Sequence, residues 1–237
     1  MKKIWQIWFY DLGEIIKEYV RNCPVCIQTI KTAHILEPCK AINVNGPGQR
    51  YEFDLTYLND DLEEAFDVKY LLGIVDVFSR KAMIYKHNNK EAEPILQNII
   101  EFCLINGFPR EFASDNWPEF KNKNMQNFCI KANIKYINGI PYYPHSQGTI
   151  ERFHYTIKKY LAKEFISNGY QKLNFSEVRI RVMNFYNNKN HRLIGMTPNQ
   201  AAKLTNENDI NKVNKIKEKE FNKINLKRTY LETDNKI

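Results

Sequence analysis

The pattern that most limits the fold lies between residues 50 and 86, where strand-like runs follow one another, and it gives way after residue 90 to helix-like and strand-like runs in turn. A period of two marks a half-buried strand, and recurrence at three and four marks a helix. Residues 50–58, 69–78 and 81–86 read as strands, with Ser79-Arg80 as the tight turn between the last two, so an antiparallel meander is expected. Ile95, Ile99, Phe102 and Leu104 place a helix over 90–106, and Gly107 is its stop. A short strand over 111–115, a helix over 123–132, a strand over 135–140 and helices over 146–167 and 176–188 follow. Strands first, then helix and strand in alternation, predict an α/β fold in which a mixed sheet carries helices on its faces.

Upstream, Ile4, Trp8, Leu12, Ile15 and Tyr19 predict a helix over 1–22 that leads into Cys23-Pro24-Val25-Cys26. Asn45-Gly46-Pro47-Gly48 marks a boundary, and the residues after Leu204 read as a Lys-, Asn- and Glu-rich tail with few core-quality positions. The expected organisation is therefore 1–44, 45–205 and 206–237. The charged and apolar start imitates an export signal, but Gln6 interrupts it, Asp11 and Glu14 follow, and no small-residue cleavage site appears.

At 43% hydrophobic and 26% charged, 237 residues suffice for a core that folds without disulfides, which excludes wholesale disorder. Five cysteines, an odd number, fit a reducing compartment better than a disulfide framework. No run reaches the roughly 18 to 20 apolar residues that cross a bilayer, so no membrane is expected as a partner. The net charge of +8 suits a polyanion. Asn, Lys and Ile, all with A/T-rich codons, make up 81 of the 237 residues, so part of that basicity follows codon usage rather than binding.

Three carboxylates stand out by place: Asp54 in mid-strand, Asp115 at a strand end, and Glu151 early in the long helix. A carboxylate among strand hydrophobics is costly to bury unless it is paired or binds a metal, and Mg²⁺ or Mn²⁺ suits such hard oxygen donors. Read singly, each could be a cap or a solvated acid. Their setting is more specific: Ser114-Asp115-Asn116-x-x-Glu119-Phe120, then 35 residues between Asp115 and Glu151, then Tyr142-Tyr143-Pro144-His145-Ser146-Gln147-Gly148-Thr149-Ile150-Glu151-Arg152-Phe153.

This arrangement resembles the catalytic core of retroviral and long-terminal-repeat (gypsy-like) retrotransposon integrases, whose signature is two Asp and a Glu with that spacing. The resemblance continues in Val75-Asp76-x-Phe78-Ser79-Arg80 and in Tyr186-Asn187-x-x-x-x-His191-x-x-x-Gly195-x-x-Pro198-x-x-Ala201, and it spans roughly residues 20–205. It implies an RNase H-like fold: a five-stranded mixed sheet flanked by helices, here with short helical appendages at both ends. It also implies an integrase-type strand transferase that trims the 3′ ends of element DNA and joins them to target DNA. Asp54, Asp115 and Glu151 would be its catalytic residues and would hold two Mg²⁺ or Mn²⁺ ions. Asp76 in that frame is a structural acid supporting the turn, and Glu119 a local hydrogen-bonding partner.

Lys158 lies seven residues after Glu151, two helical turns along the same face, so it is expected to touch a phosphate near the metals. Lys159, Arg152, Gln147 and Tyr142 are further DNA-contact candidates. Two departures from the family pattern sit close to the chemistry. Trp117 stands where the family usually has Gly, which would strain the chain if the backbone there needs a positive φ. His154 stands where Asn is common. Cys23-x-x-Cys26 resembles half of the family's His-His-Cys-Cys zinc domain, but none of the five His precedes Cys23, so Zn²⁺ would need borrowed ligands such as His34 and Cys39. The expected partners are DNA and further copies of the chain, and the expected location is the nucleus after cytoplasmic synthesis. The alternative reading is a domesticated or decayed derivative that binds DNA without catalysis; a nuclease or transposase of the same fold fits the spacing less well.

Overall fold

A computed structural model describes residues 44–138 and 148–233, with isolated positions at 15, 18, 19 and 22 and side chains through Lys223. The expected helix over 1–22, Cys23, Cys26, Tyr142 and Gln147 lie outside the described residues, apart from those isolated positions.

The order is β1 (Arg50–Tyr57), α1 (Asp60–Phe66), β2 (Tyr70–Asp76), β3 (Ala82–His87), α2 (Ala92–Asn106), β4 (Glu111–Ser114), α3 (Lys123–Lys131), β5 (Lys135–Asn138), α4 (Gly148–Ser167), α5 (Phe175–Asn188), α6 (Pro198–Ala201) and α7 (Glu207–Thr233). The five strands form one sheet in the order β3-β2-β1-β4-β5. The meander β1-β2-β3 is antiparallel, as its short connections require, and β4 and β5 join parallel to β1 after helical crossovers. This is the α/β mixed sheet that the alternating pattern predicts, and it is RNase H-like.

Alternation along the strands sorts the core into two layers. Tyr51, Phe53, Leu72 and Ile74 face α2 and α3, where Ile95, Ile99, Phe102, Met125 and Cys129 close over them. Leu71, Val75 and Ile84 face the opposite way, against Ile150, Phe153, Ile157 and Leu161 of α4 and Val178 and Val182 of α5. Each fully buried side chain of this size contributes about 1.5–3 kcal/mol, so the two layers together are the main source of stability.

Two short elements were not expected, α1 and α6. α1 is only seven residues long, too short to show a period, and is fixed by burial of Leu62, Ala65 and Phe66. α7 occupies the stretch that composition reads as a tail, and at 27 residues it is longer than the short helical appendage implied there. Its inward positions are few: Val213 and Lys217 are buried and Ile210 is half-buried, spaced by three and four. Val213 joins Val44, Val77, Phe78, Ile194 and Ala201 in a third apolar cluster. Lys217 lays its ammonium 4.0 Å from the centre of the Phe78 ring, so a residue that composition counts as solvated surface is part of the packing.

Candidate active site

β1 and β4 run parallel with Arg50 opposite Glu111 and Glu52 opposite Ala113, so the register carried two residues further sets Asp54 opposite Asp115, just past the end of β4. On its other side Asp54 is paired with Gly73 of β2. Glu151 lies in the first turn of α4, the helix that packs on this same face. Two neighbouring strands and one helix thus bring the three acids into electrostatic reach of one another.

Asp54 shows this most clearly. Burial pushes its carboxyl up to about 7, the charge of Asp115 adds to the rise, the Leu55 amide opposes it, and Glu151 and Glu119 add smaller repulsions. Asp115 is also raised, by burial first, while the Trp117 amide, which donates to its Oδ1 at 3.3 Å, and the charge of Lys90 pull it down.

The acids are nevertheless not gathered into a closed ligand shell. Among the described residues no three or more His, Cys, Asp or Glu are grouped so as to hold a metal ion, and Glu151 is exposed. Glu151, on the helix, is the outermost of the three. The donor chemistry still fits a hard divalent cation, because the repulsion that raises Asp54 is what a bound cation would relieve.

His154, three residues after Glu151, was singled out in sequence only as a departure. It is buried, with Nδ1 3.5 Å from Asp54 Oδ2. Burial, then the charge of Lys158, lowers its pKa to about 3, so the ring is neutral. It fits because position 73 is glycine: a Cβ there would collide with His154 Nε2 and would sit 2.9 Å from Cδ2. A glycine in the middle of an apolar strand is the sequence signal that could have announced this close approach.

Lys158 is half-buried, its pKa lowered by burial and supported by the opposite charge of Asp54, which sets it on the acidic side of α4. Lys159 and Arg152 are exposed, and the Lys159 ammonium lies 5.2 Å from the Tyr155 ring centre. Trp117 does not adopt a positive φ, so the strain foreseen for a bulky residue there is absent; its indole is 59% exposed, under the Lys90 ammonium at 5.2 Å. Asp76 ties the β2–β3 turn through Ser79 Oγ at 2.5 Å and the amides of Phe78 and Ser79 at 3.2 and 3.3 Å, the structural duty the resemblance implies. Glu119 pairs with Lys90 at 3.6 Å.

Residues 44–144 match the integrase core domain family, a stretch that includes Asp54 and Asp115. The chain is 28% identical over 152 residues to the Gag-Pro-Pol polyprotein of Mason-Pfizer monkey virus, which is 63% of this chain and 8% of that polyprotein. The chain therefore spans about a twelfth of the length of such curated relatives. Among solved structures it is similar to the simian T-cell lymphotropic virus intasome in complex with PP2A regulatory subunit B56 gamma (TM-score 0.65, 18% identity, 81% of this chain and 66% of that one). It is also similar to the HTLV-2 integrase catalytic core domain in complex with magnesium in its trimeric form (TM-score 0.56, 20% identity, 66% of this chain and 97% of that one). On these grounds residues 44–144 are similar to the integrase core domains of retroviral polyproteins, and the sheet has the RNase H-like fold.

Proposed function

We propose that this chain is an integrase-type DNA strand transferase, which processes the 3′ ends of a retroelement's DNA and joins them to target DNA. The observation that carries the reading is geometric: the β1–β4 register sets Asp54 opposite Asp115 and α4 packs on the same face with Glu151 in its first turn, beside the stretch that matches the integrase core domain. Asp54 and Asp115 would hold Mg²⁺ or Mn²⁺, with Glu151 turning inward to complete the set. Two such cations when bound supply an activated oxygen nucleophile and stabilise the leaving oxygen of an in-line phosphodiester displacement. The chain's own part is positional. Asp54 and Asp115 keep their oxygens on one side of the sheet, neutral His154 abuts Asp54 without adding charge, and Lys158 offers a cation to a phosphate beside the acids. Arg152 and Lys159, exposed on the same helix, extend that contact along the DNA backbone, and Tyr142 and Gln147, earlier in the sequence, are proposed to do so too.

The working form is proposed to be a homo-oligomer on DNA in the nucleus. No helix among the described residues is long and apolar enough to cross a membrane. Cys23 and Cys26 remain candidates for a Zn²⁺ half-site. A second reading, DNA binding without catalysis, is favoured by one observation: Trp117 and His154 stand beside the acids, at positions where the family pattern has Gly and Asn.

Strand transfer with an oligonucleotide matching the element's end, in Mg²⁺ or Mn²⁺, separates the two. The proposal expects joined product from the intact chain and none from Asp115→Asn, with DNA binding kept in both. Equal silence of both proteins, with DNA binding intact, would establish the second reading.

A further inference from the structure

The turn between β2 and β3 holds an arginine in an unusual state. Arg80 has a φ of 64°, a left-handed conformation that costs a side-chain-bearing residue of order 1–3 kcal/mol, and its amide is tied to the Asp76 carbonyl at 2.8 Å. The turn is braced by the Asp76 carboxylate, so the Arg80 side chain is directed inward, where it is only 7% exposed. There its Nη1 donates to Thr149 Oγ1 at 2.5 Å, across 69 positions of sequence. Thr149 stands in the first turn of α4, two residues before Glu151.

Nearby on β1 lies Glu52, which is 0% exposed and shares the face that carries Asp54 two residues on. A buried guanidinium is a poor source of stability, because desolvation consumes its attractions, and an apolar side chain of similar volume would serve packing as well. What the apolar side chain would not do is fix one orientation of the helix end.

We propose that Arg80 is a positioning residue that clamps the first turn of α4, and with it Glu151, onto the sheet beside the strand that carries Asp54. The proposal rests on the reading of Asp54, Asp115 and Glu151 as metal-binding acids, and it assigns a task to the Phe78-Ser79-Arg80 motif.

Thr149→Val in the full chain tests it, since this change removes the acceptor while keeping the shape, and Thr149→Ser restores the hydroxyl. Two measurements need no turnover: amide exchange of residues 152–155, which bond back to the carbonyls of the first turn, and titration with Mn²⁺ alone followed by its paramagnetic signal. In Thr149→Val those amides are expected to exchange about tenfold faster and Mn²⁺ affinity to fall about tenfold, the weight of one charge-assisted hydrogen bond. Exchange in β1 and β2 and the melting temperature stay as in the parent, and Thr149→Ser recovers both quantities. Unchanged exchange and Mn²⁺ affinity would overturn the proposal, and so would faster exchange spread evenly over the sheet. A chain that joins no DNA in any form yet shows these shifts supports the clamp and overturns only the catalytic reading.

Discussion

On one face of β1, Tyr51 and Phe53 are sealed beneath α2 and α3; on the other, the alternate positions hold Glu52 and Asp54 beneath the first turns of α4. The first face follows the ordinary logic of a core. Phe53 meets the Phe112 ring edge-on at 5.3 Å and the Phe120 ring at 5.2 Å, and the Tyr51 hydroxyl donates to the Asn106 and Gly107 carbonyls at 3.1 Å. The second face is crowded with groups that burial penalises: Glu52 and Asp54 are both pushed up to about 7, and His154 is held neutral. The same strand therefore contributes stability through its odd positions and spends some of it at its even ones. The contrast locates the site, because a costly arrangement persists only where a cation, a substrate or an orientation depends on it.

The largest effect should come from the apolar face. Phe53→Ala is expected to destabilise the chain by about 3–5 kcal/mol, read by urea unfolding, because it leaves a cavity among three aromatic rings that cannot collapse. If the loss were under about 1 kcal/mol, the division of labour between the two faces would not hold. On the polar face, Lys158→Ala is expected to leave folding nearly unchanged. Its effect is on DNA: affinity falls and the slope of log affinity against log salt becomes shallower by about one. Lys159→Ala, on the exposed side of α4, is expected to do less of both, and an equal loss from the two would remove the special place of Lys158.

The sheet was legible because its information is local. The strand-like runs within 50–86 and the glycine after α2 are written in consecutive residues, and Gly107 does end that helix, with a φ of 91° and its amide on the Cys103 carbonyl. The length and packing of α7 were not legible beyond a short helical appendage, since a helix that buries Val213 and Lys217 and little else looks, residue by residue, like a solvated tail. The site divides in the same way. Asp54, Asp115 and Glu151 were marked by spacing and by resemblance, whereas His154, Glu52, Arg80 and Thr149 were not assigned to it. Their roles depend on register and on one backbone angle: that position 73 lies beneath the imidazole, and that Arg80 turns left-handed to reach a helix 69 positions away. Such facts arise only when distant segments meet.

The central claim is that Asp54 is held on this face at a cost which a divalent cation relieves, and its most direct test is the unfolding free energy of the parent chain and Asp54→Asn. The sign follows from the raised carboxyl. The folded chain holds the Asp54 proton up to about pH 7 and the unfolded chain only to 3.8, so the penalty is full above pH 7 and fades as the pH falls toward 3.8. At pH 8 without metal, Asp54→Asn should be more stable than the parent by about 1–2 kcal/mol, after discounting a partly exposed side chain. The difference should shrink at pH 5, and at pH 8 saturating Mg²⁺ should raise the parent alone and close the gap. A variant less stable than the parent at pH 8, or a rise with Mg²⁺ that is equal in both proteins, would contradict the account.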